Sequence, residues 1–308
     1  MRTIDAVHLG LMLAALAITY LVPFELLLLS YVVLGPAHYF TEISWLHDRK
    51  YFLPPHRIIP LGLVVVAVAA ALIGNAAWFG FTIWMAFVAC ALLTTTTAAQ
   101  SAVLTAIALG VTVIMAVNGS SLAVLGILLP TLIHVSLFTL VFMTLGAYRS
   151  GSKAHALLVV VYLIAIGIIL AAPPSAATHI PAFAKAGQEY FGNVGPALGR
   201  LLGLGDLHLD TRLTSLLAFV YTYHYLNWFI KADVIRWAEI PRSRLALVVA
   251  ASAASTALYF YNYAFGFTVL LALSLVHVVL EFPLNSLALR QLGGAVRQGF
   301  AQHLHWQA

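Results

Sequence analysis

His38 and Glu42 stand four residues apart in HYFTE, and His277 and Glu281 repeat that spacing in HVVLE. Residues at i and i+4 share one face of a helix. Each pair can offer an imidazole and a carboxylate to one metal ion, or the imidazole can hydrogen-bond the acid. Both pairs lie in apolar surroundings. A charged carboxylate at mid-helix in a membrane costs about 3 kcal/mol on insertion scales, so it turns inward and is paired. A divalent metal answers both needs, because it neutralises the acids and takes up the imidazole lone pairs. Two more histidines sit well inside apolar runs, His134 in LLPTLIHVSLFTL and His224 in VYTYHYLNWF. Tyr221, Asn227 and Trp228 share the helix face of His224 and are the expected outer partners, whereas Tyr223 and Tyr225 point elsewhere. Pro130, one turn before His134, either bends its helix and opens a pocket or is a tolerated membrane proline.

The expected metal ligands are therefore His38, His134, His224, His277, Glu42 and Glu281. This all-nitrogen and oxygen set, without thiolate, suits iron, zinc, copper or manganese. Non-haem iron, as one or two ions, is the expected cofactor, since structural zinc is an odd choice where helix packing already sets the fold. The residues leave other readings open. These are haem b on facing histidines, another transition metal, proton-coupled transport through His and Glu, and polar packing with no metal. A site inside a bilayer would take hydrophobic substrates such as fatty acyl chains, sterols, carotenoids or quinones, with O2 as the oxidant and membrane lipids as its surroundings. The apolar runs leave no room for a soluble electron-transfer domain. Any reductant would then be a separate partner, or the reaction would need no outside electrons.

The elements that must hold these residues are membrane helices. The chain is 62% hydrophobic and 8% charged, against about 25% charged in a soluble domain, and its mean hydropathy is +0.98. Apolar runs of about 20 residues recur, each long enough to cross a bilayer. The first has no A-x-A-like cleavage signal and is expected to stay as a helix. Ten spans are predicted, at 4–22, 24–46, 57–74, 76–97, 99–117, 121–147, 155–172, 212–232, 243–262 and 265–288. With the N-terminus inside, 12 of the 15 Lys and Arg residues fall in inner loops and only Lys185, Arg200 and Arg212 fall outside. The positive-inside rule thus predicts N-in and C-in, in a bacterial cytoplasmic membrane. Residues 1–290 read as one transmembrane domain, with interfacial helices in an outer loop at 173–211. Residues 291–308 read as a basic amphipathic tail with Leu292, Val296, Phe300 and Leu304 on one stripe. The lone Cys90 excludes an internal disulfide or a cysteine metal cluster. His208, between Asp206 and Asp210, is a solvated loop residue rather than a metal site, and NGS at Asn118 is a chance sequon. The formal charge of +5 belongs to loop asymmetry; no nucleic-acid signature, P-loop or H-E-x-x-H motif is present.

His38, His134, His224 and His277 all fall on even-numbered spans, which run the same way. Their depth can be gauged from the next basic residue. The intervals are 11, 15, 7 and 13 residues to Arg49, Arg149, Lys231 and Arg290. That spread corresponds to about 12 Å, so a common depth is the assumption on which a single site rests.

LGPAHY, from Leu34 to Tyr39, resembles the Gly-x-Pro-His-Gly element of the Brp/Blh family of membrane-embedded β-carotene-cleaving oxygenases. The resemblance implies a transmembrane helix bundle in which histidines on several helices bind one iron, with His38 as the motif histidine. It covers about six residues, with Tyr39 where the family has glycine. The family's His-x-x-x-His pair has no counterpart here, so the resemblance assigns no role to His134, His224 or His277.

Overall fold

A computed structural model describes residues 3–51, 58–73, 82, 97–117, 132, 134–175 and 209–305. Among them every regular element is helical. In chain order these are α1 (Thr3–Leu21), α2 (Pro23–Asp48), α3 (Ile58–Ile73), α4 (Ala98–Val117), α5 (Thr139–Ser150), α6 (Lys153–Ala171), α7 (Leu209–Ile230), the short α8 (Ala232–Ile235), α9 (Arg242–Tyr261) and α10 (Tyr263–His305). A π-helical turn, His134–Phe138, leads into α5, and another, Ser30–Leu34, lies inside α2.

Five helices, α1, α2, α6, α9 and α10, are long and apolar enough to cross a membrane. Their outward faces carry exposed Leu13, Val160, Ile164, Leu247 and Val249, an apolar exterior suited to lipid. The all-α class holds, but ten spans are not reached among the described residues. The predicted fourth span at 76–97 lies outside them apart from Thr82 and Thr97, as do Pro130 and most of the first half of the sixth. Cys90, Asn118, His208 and most of the loop at 173–211 also lie outside. No break falls at residue 290, because α10 runs unbroken to His305, and Leu292 packs on Val141, Leu145 and Ala288.

Within the bundle, α7 is the central element. Leu213, Leu217, Phe219, Tyr223 and Tyr225 are all buried, and the helix packs on α1, α2 and α6. A helix apolar on every side belongs inside a bundle. Its aromatic side meets α1 and α6, where Tyr162 lies against Phe219 and Tyr223. On the other side, α10 packs against α2, α3 and α9. There Leu46, Leu63, Ala67, Val276 and Val279 form a second apolar cluster. Gly266 sets the approach of α9 to α10, since a Cβ there would collide with the Tyr259 backbone.

The π-turn in α2 has a local cause in sequence. Pro36 has no N–H to give the carbonyl four residues back, that of Val32. Thr256 of α9 supplies the missing donor, its hydroxyl lying 2.8 Å from the Val32 oxygen. One turn earlier, Ser30 and Thr222 share a hydroxyl–hydroxyl bond of 2.6 Å that ties the bulge to α7. Both π-turns end within one turn of a histidine or begin on one, and π-bulges commonly mark functional positions.

Candidate metal centre

The four intramembrane histidines meet at one place. His224 Nε2 lies 3.2 Å from His38 Nε2, and His134 Nε2 lies 3.2 Å from His277 Nε2. Ring centroids across the set are 4.8 to 5.2 Å apart. Glu42 Oε2 lies 2.9 Å from His38 Nε2 and 3.5 Å from His277 Nε2, while Glu281 Oε2 lies 3.2 Å from His134 Nε2. The two carboxyl groups face each other. All six residues are buried, from 1% exposed at His38 to 9% at His224.

Two overlapping triads have donor atoms within 4.8 Å of one another: His38, His224 and His277; and His134, His277 and Glu281. His277 belongs to both, and its one inward lone pair serves a single ion, so the cluster suits one ion with six candidate donors or two ions bridged by a carboxylate.

Outer partners orient two of the imidazoles. His277 Nδ1 lies 3.0 Å from the Ser274 carbonyl oxygen. A carbonyl only accepts, so Nδ1 carries the hydrogen and Nε2 presents a lone pair. That is the arrangement of a metal-binding imidazole whose far nitrogen is held by an outer partner. His224 Nδ1 lies 2.8 Å from the Thr139 hydroxyl, which can donate or accept, so this contact orients the ring without fixing its tautomer. Oε2 of both Glu42 and Glu281 has no hydrogen-bond donor, nor has Nδ1 of His38 or His134 a partner. A buried orphan polar atom is costly. Imidazole nitrogens and carboxyl oxygens crowded this closely, several of them without partners, fit a cation.

The common depth, the weakest step in the sequence argument, is met by the geometry, and the misleading marker was Lys231. It lines an internal cavity one residue beyond α7. Without it the three remaining intervals differ by only 4 residues, or about 6 Å, which tilt and the two π-turns absorb.

Among the outer partners, Trp228 packs edge-on against His38 at 5.4 Å and donates through Nε1 to Thr41 Oγ1 at 3.0 Å. Asn227 is buried and lines the cavity beside the cluster. Tyr221 instead packs against Tyr31 and Tyr225, away from the imidazoles. The expectation for Tyr225 needs correction. Its ring sits 5.1 Å from His38, and its hydroxyl shares a 2.7 Å bond with that of Tyr39. Tyr39 in turn stacks on His277 at 4.5 Å. A helix-face argument on α7 alone misses Tyr225, because His38 arrives from α2 at an angle that brings it between neighbouring faces. Tyr223 does point away, toward His8 Nδ1 at 3.2 Å.

Sequence reasoning also passed over Thr139, Ser274 and Asn285. Asn285 was open to discovery, since it extends the ladder His277, Glu281, Asn285 at four-residue steps, and it hydrogen-bonds Glu281. Thr139 and the Ser274 carbonyl leave no trace in spacing.

Several basic groups gather at one end of the bundle. Arg244 bonds both Asp48 oxygens at 2.6 Å, and Arg49 and Trp45 donate to the Ile235 carbonyl. Arg149 donates to Gln291 at 2.6 Å. Arg236 pairs with Glu239, whose carboxylate raises the guanidinium pKa further.

No family model, no curated protein and no solved structure matches this chain. The comparisons therefore lend no support to the likeness carried by LGPAHY, and the site rests on its own geometry.

Proposed function

We propose that this chain is an integral membrane oxidoreductase whose histidine and glutamate cluster holds non-haem iron, as one or two ions, and acts with O2 on a hydrophobic, lipid-like or isoprenoid substrate. The observation that carries this reading is the convergence of four imidazole Nε2 atoms on two buried carboxyl groups whose Oε2 atoms have no hydrogen-bond partner. A donor set of nitrogen and oxygen without sulfur suits iron among the available metals. Bound iron would supply O2 binding and redox chemistry.

The chain's own residues do the rest. Ser274 and Thr139 hold His277 and His224 with Nε2 inward. Glu42 and Glu281 offset the positive charge of the ion. Tyr39, Tyr225 and Trp228 wall the imidazoles and keep bulk water away on that side. The contact distances between imidazoles leave no slot for a porphyrin between facing rings, which favours a bare ion over haem b. The gathering of Arg49, Arg149, Arg236 and Arg244 at one end supports a cytoplasmic position for that end. On that basis we place both termini inside a cytoplasmic membrane, with ten spans once the chain outside the described residues is included.

Purification in detergent, followed by metal analysis and an absorption spectrum, tests the reading. Iron without a Soret band is the expected result. Single His38→Ala, His134→Ala, His224→Ala and His277→Ala variants should each lose most of the metal while still inserting. Absence of any co-purified metal, together with failure to bind supplied iron, would overturn the proposal; metal retained in two or more variants would break the shared site.

A further inference from the structure

A cavity of about 440 Å³ connects the metal centre to the basic end of the bundle. Its volume falls in the range of small-molecule pockets, roughly 300–1,000 Å³. The inner end is formed by His38, Glu42, His224 and Glu281. The middle is apolar, with Trp45, Phe142, Leu145, Trp228 and Leu284 on its walls. Asp5, His8, Arg149, His155 and Lys231 line the mouth.

The mouth carries a lysine without an ion-pair partner among the described residues. Asp5 lies 3.8 Å from His155 Nδ1. Arg149 reaches out to Gln291. Lys231 faces His8 and His155, and among the described residues its ammonium forms no ion pair. Arg149 is engaged by Gln291 and Asp5 by His155, which leaves the Lys231 ammonium to meet a ligand. Ionisable side chains at membrane depth commonly mark substrate or ion paths. One ammonium without an ion-pair partner suits one anionic head, and the apolar middle suits a chain behind it. From Lys231 back to His224 on α7 is 7 residues, or about 10 Å, so a ligand anchored at the mouth would lay its chain against the metal.

We propose that the pocket takes an amphipathic carboxylate, a fatty-acid-like molecule with its head on Lys231 and its chain directed at the His and Glu cluster. This rests on the proposed metal centre only for what lies at the far end. It narrows the substrate class from lipids in general to acidic amphipaths, and it excludes hydrocarbons without a head group.

Calorimetric titration of the detergent-purified full chain with decanoate, 1-decanol and decyl phosphate decides the matter, with iron content measured on the same samples. Decanoate should bind at least about tenfold tighter than decanol, the size expected of one charge-assisted contact. Lys231→Gln should erase that preference at unchanged iron content, and Lys231→Arg should keep it. Equal binding of decanoate and decanol by the wild type overturns the proposal even if Lys231→Gln fails to fold. So does a preference that survives in Lys231→Gln, and tighter binding of decyl phosphate overturns the carboxylate assignment. A wild-type protein that lacks iron yet shows the Lys231-dependent preference refutes the metal reading and supports the anion site.

Discussion

Replacing Glu281 with glutamine should move metal affinity and metal-free stability in opposite directions. The substitution keeps size and shape, so no cavity opens. Glu281 Oε2 lies 3.2 Å from His134 Nε2 and has no hydrogen-bond donor. In the metal-free protein a carboxamide supplies its own donors, whereas the carboxyl group needs a proton to face Glu42. A buried polar atom left unsatisfied costs about 1–3 kcal/mol, so the metal-free variant should be at least as stable as the wild type. With metal the balance reverses. Removal of outer partners alone typically weakens metal binding 10- to 100-fold. Loss of a charged ligand should therefore weaken it at least about 100-fold. At a free iron concentration 1,000 times the wild-type Kd, binding stabilises the fold by about 4.1 kcal/mol; a 100-fold weaker site leaves about 1.4 kcal/mol. Metal-dependent stabilisation should thus fall by about 2.7 kcal/mol. Denaturation of detergent-solubilised protein, with and without added iron, reads both quantities. A variant that is equally destabilised in both conditions, with unchanged metal affinity, would refute the reasoning and make Glu281 a structural hydrogen-bonding group.

Two further perturbations separate the scaffold from the site. Thr256→Val removes the hydroxyl that satisfies the Val32 carbonyl at Pro36; it should destabilise the fold by about 1–3 kcal/mol, measured by thermal denaturation, with full metal content retained. Lys231→Gln removes an ammonium from the cavity and leaves the histidine and glutamate cluster intact; it should keep full metal content, measured by metal analysis of the purified protein.

Much of this molecule follows from its sequence. The apolar runs dictate membrane helices, since a backbone in lipid must satisfy its own hydrogen bonds. The pairs His38–Glu42 and His277–Glu281 announce themselves by a four-residue step, because helix geometry makes such neighbours local facts. His134 and His224 stand out because polar groups inside apolar runs are expensive. Convergence was another matter. Depth inferred from Lys231 failed because that lysine turns into a cavity, a choice made by helices far away in sequence. Tyr225, Thr139 and the Ser274 carbonyl entered the site through the crossing of α2, α5, α7 and α10, which no periodicity within one helix encodes. The extra residue of each π-turn rotates everything beyond it by a fraction of a turn, and Pro36 foretells a disturbance without saying which donor repairs it. Residue types and local spacing are set by one helix at a time. The meeting of four imidazoles is set by packing between helices, and only the tertiary structure decided it.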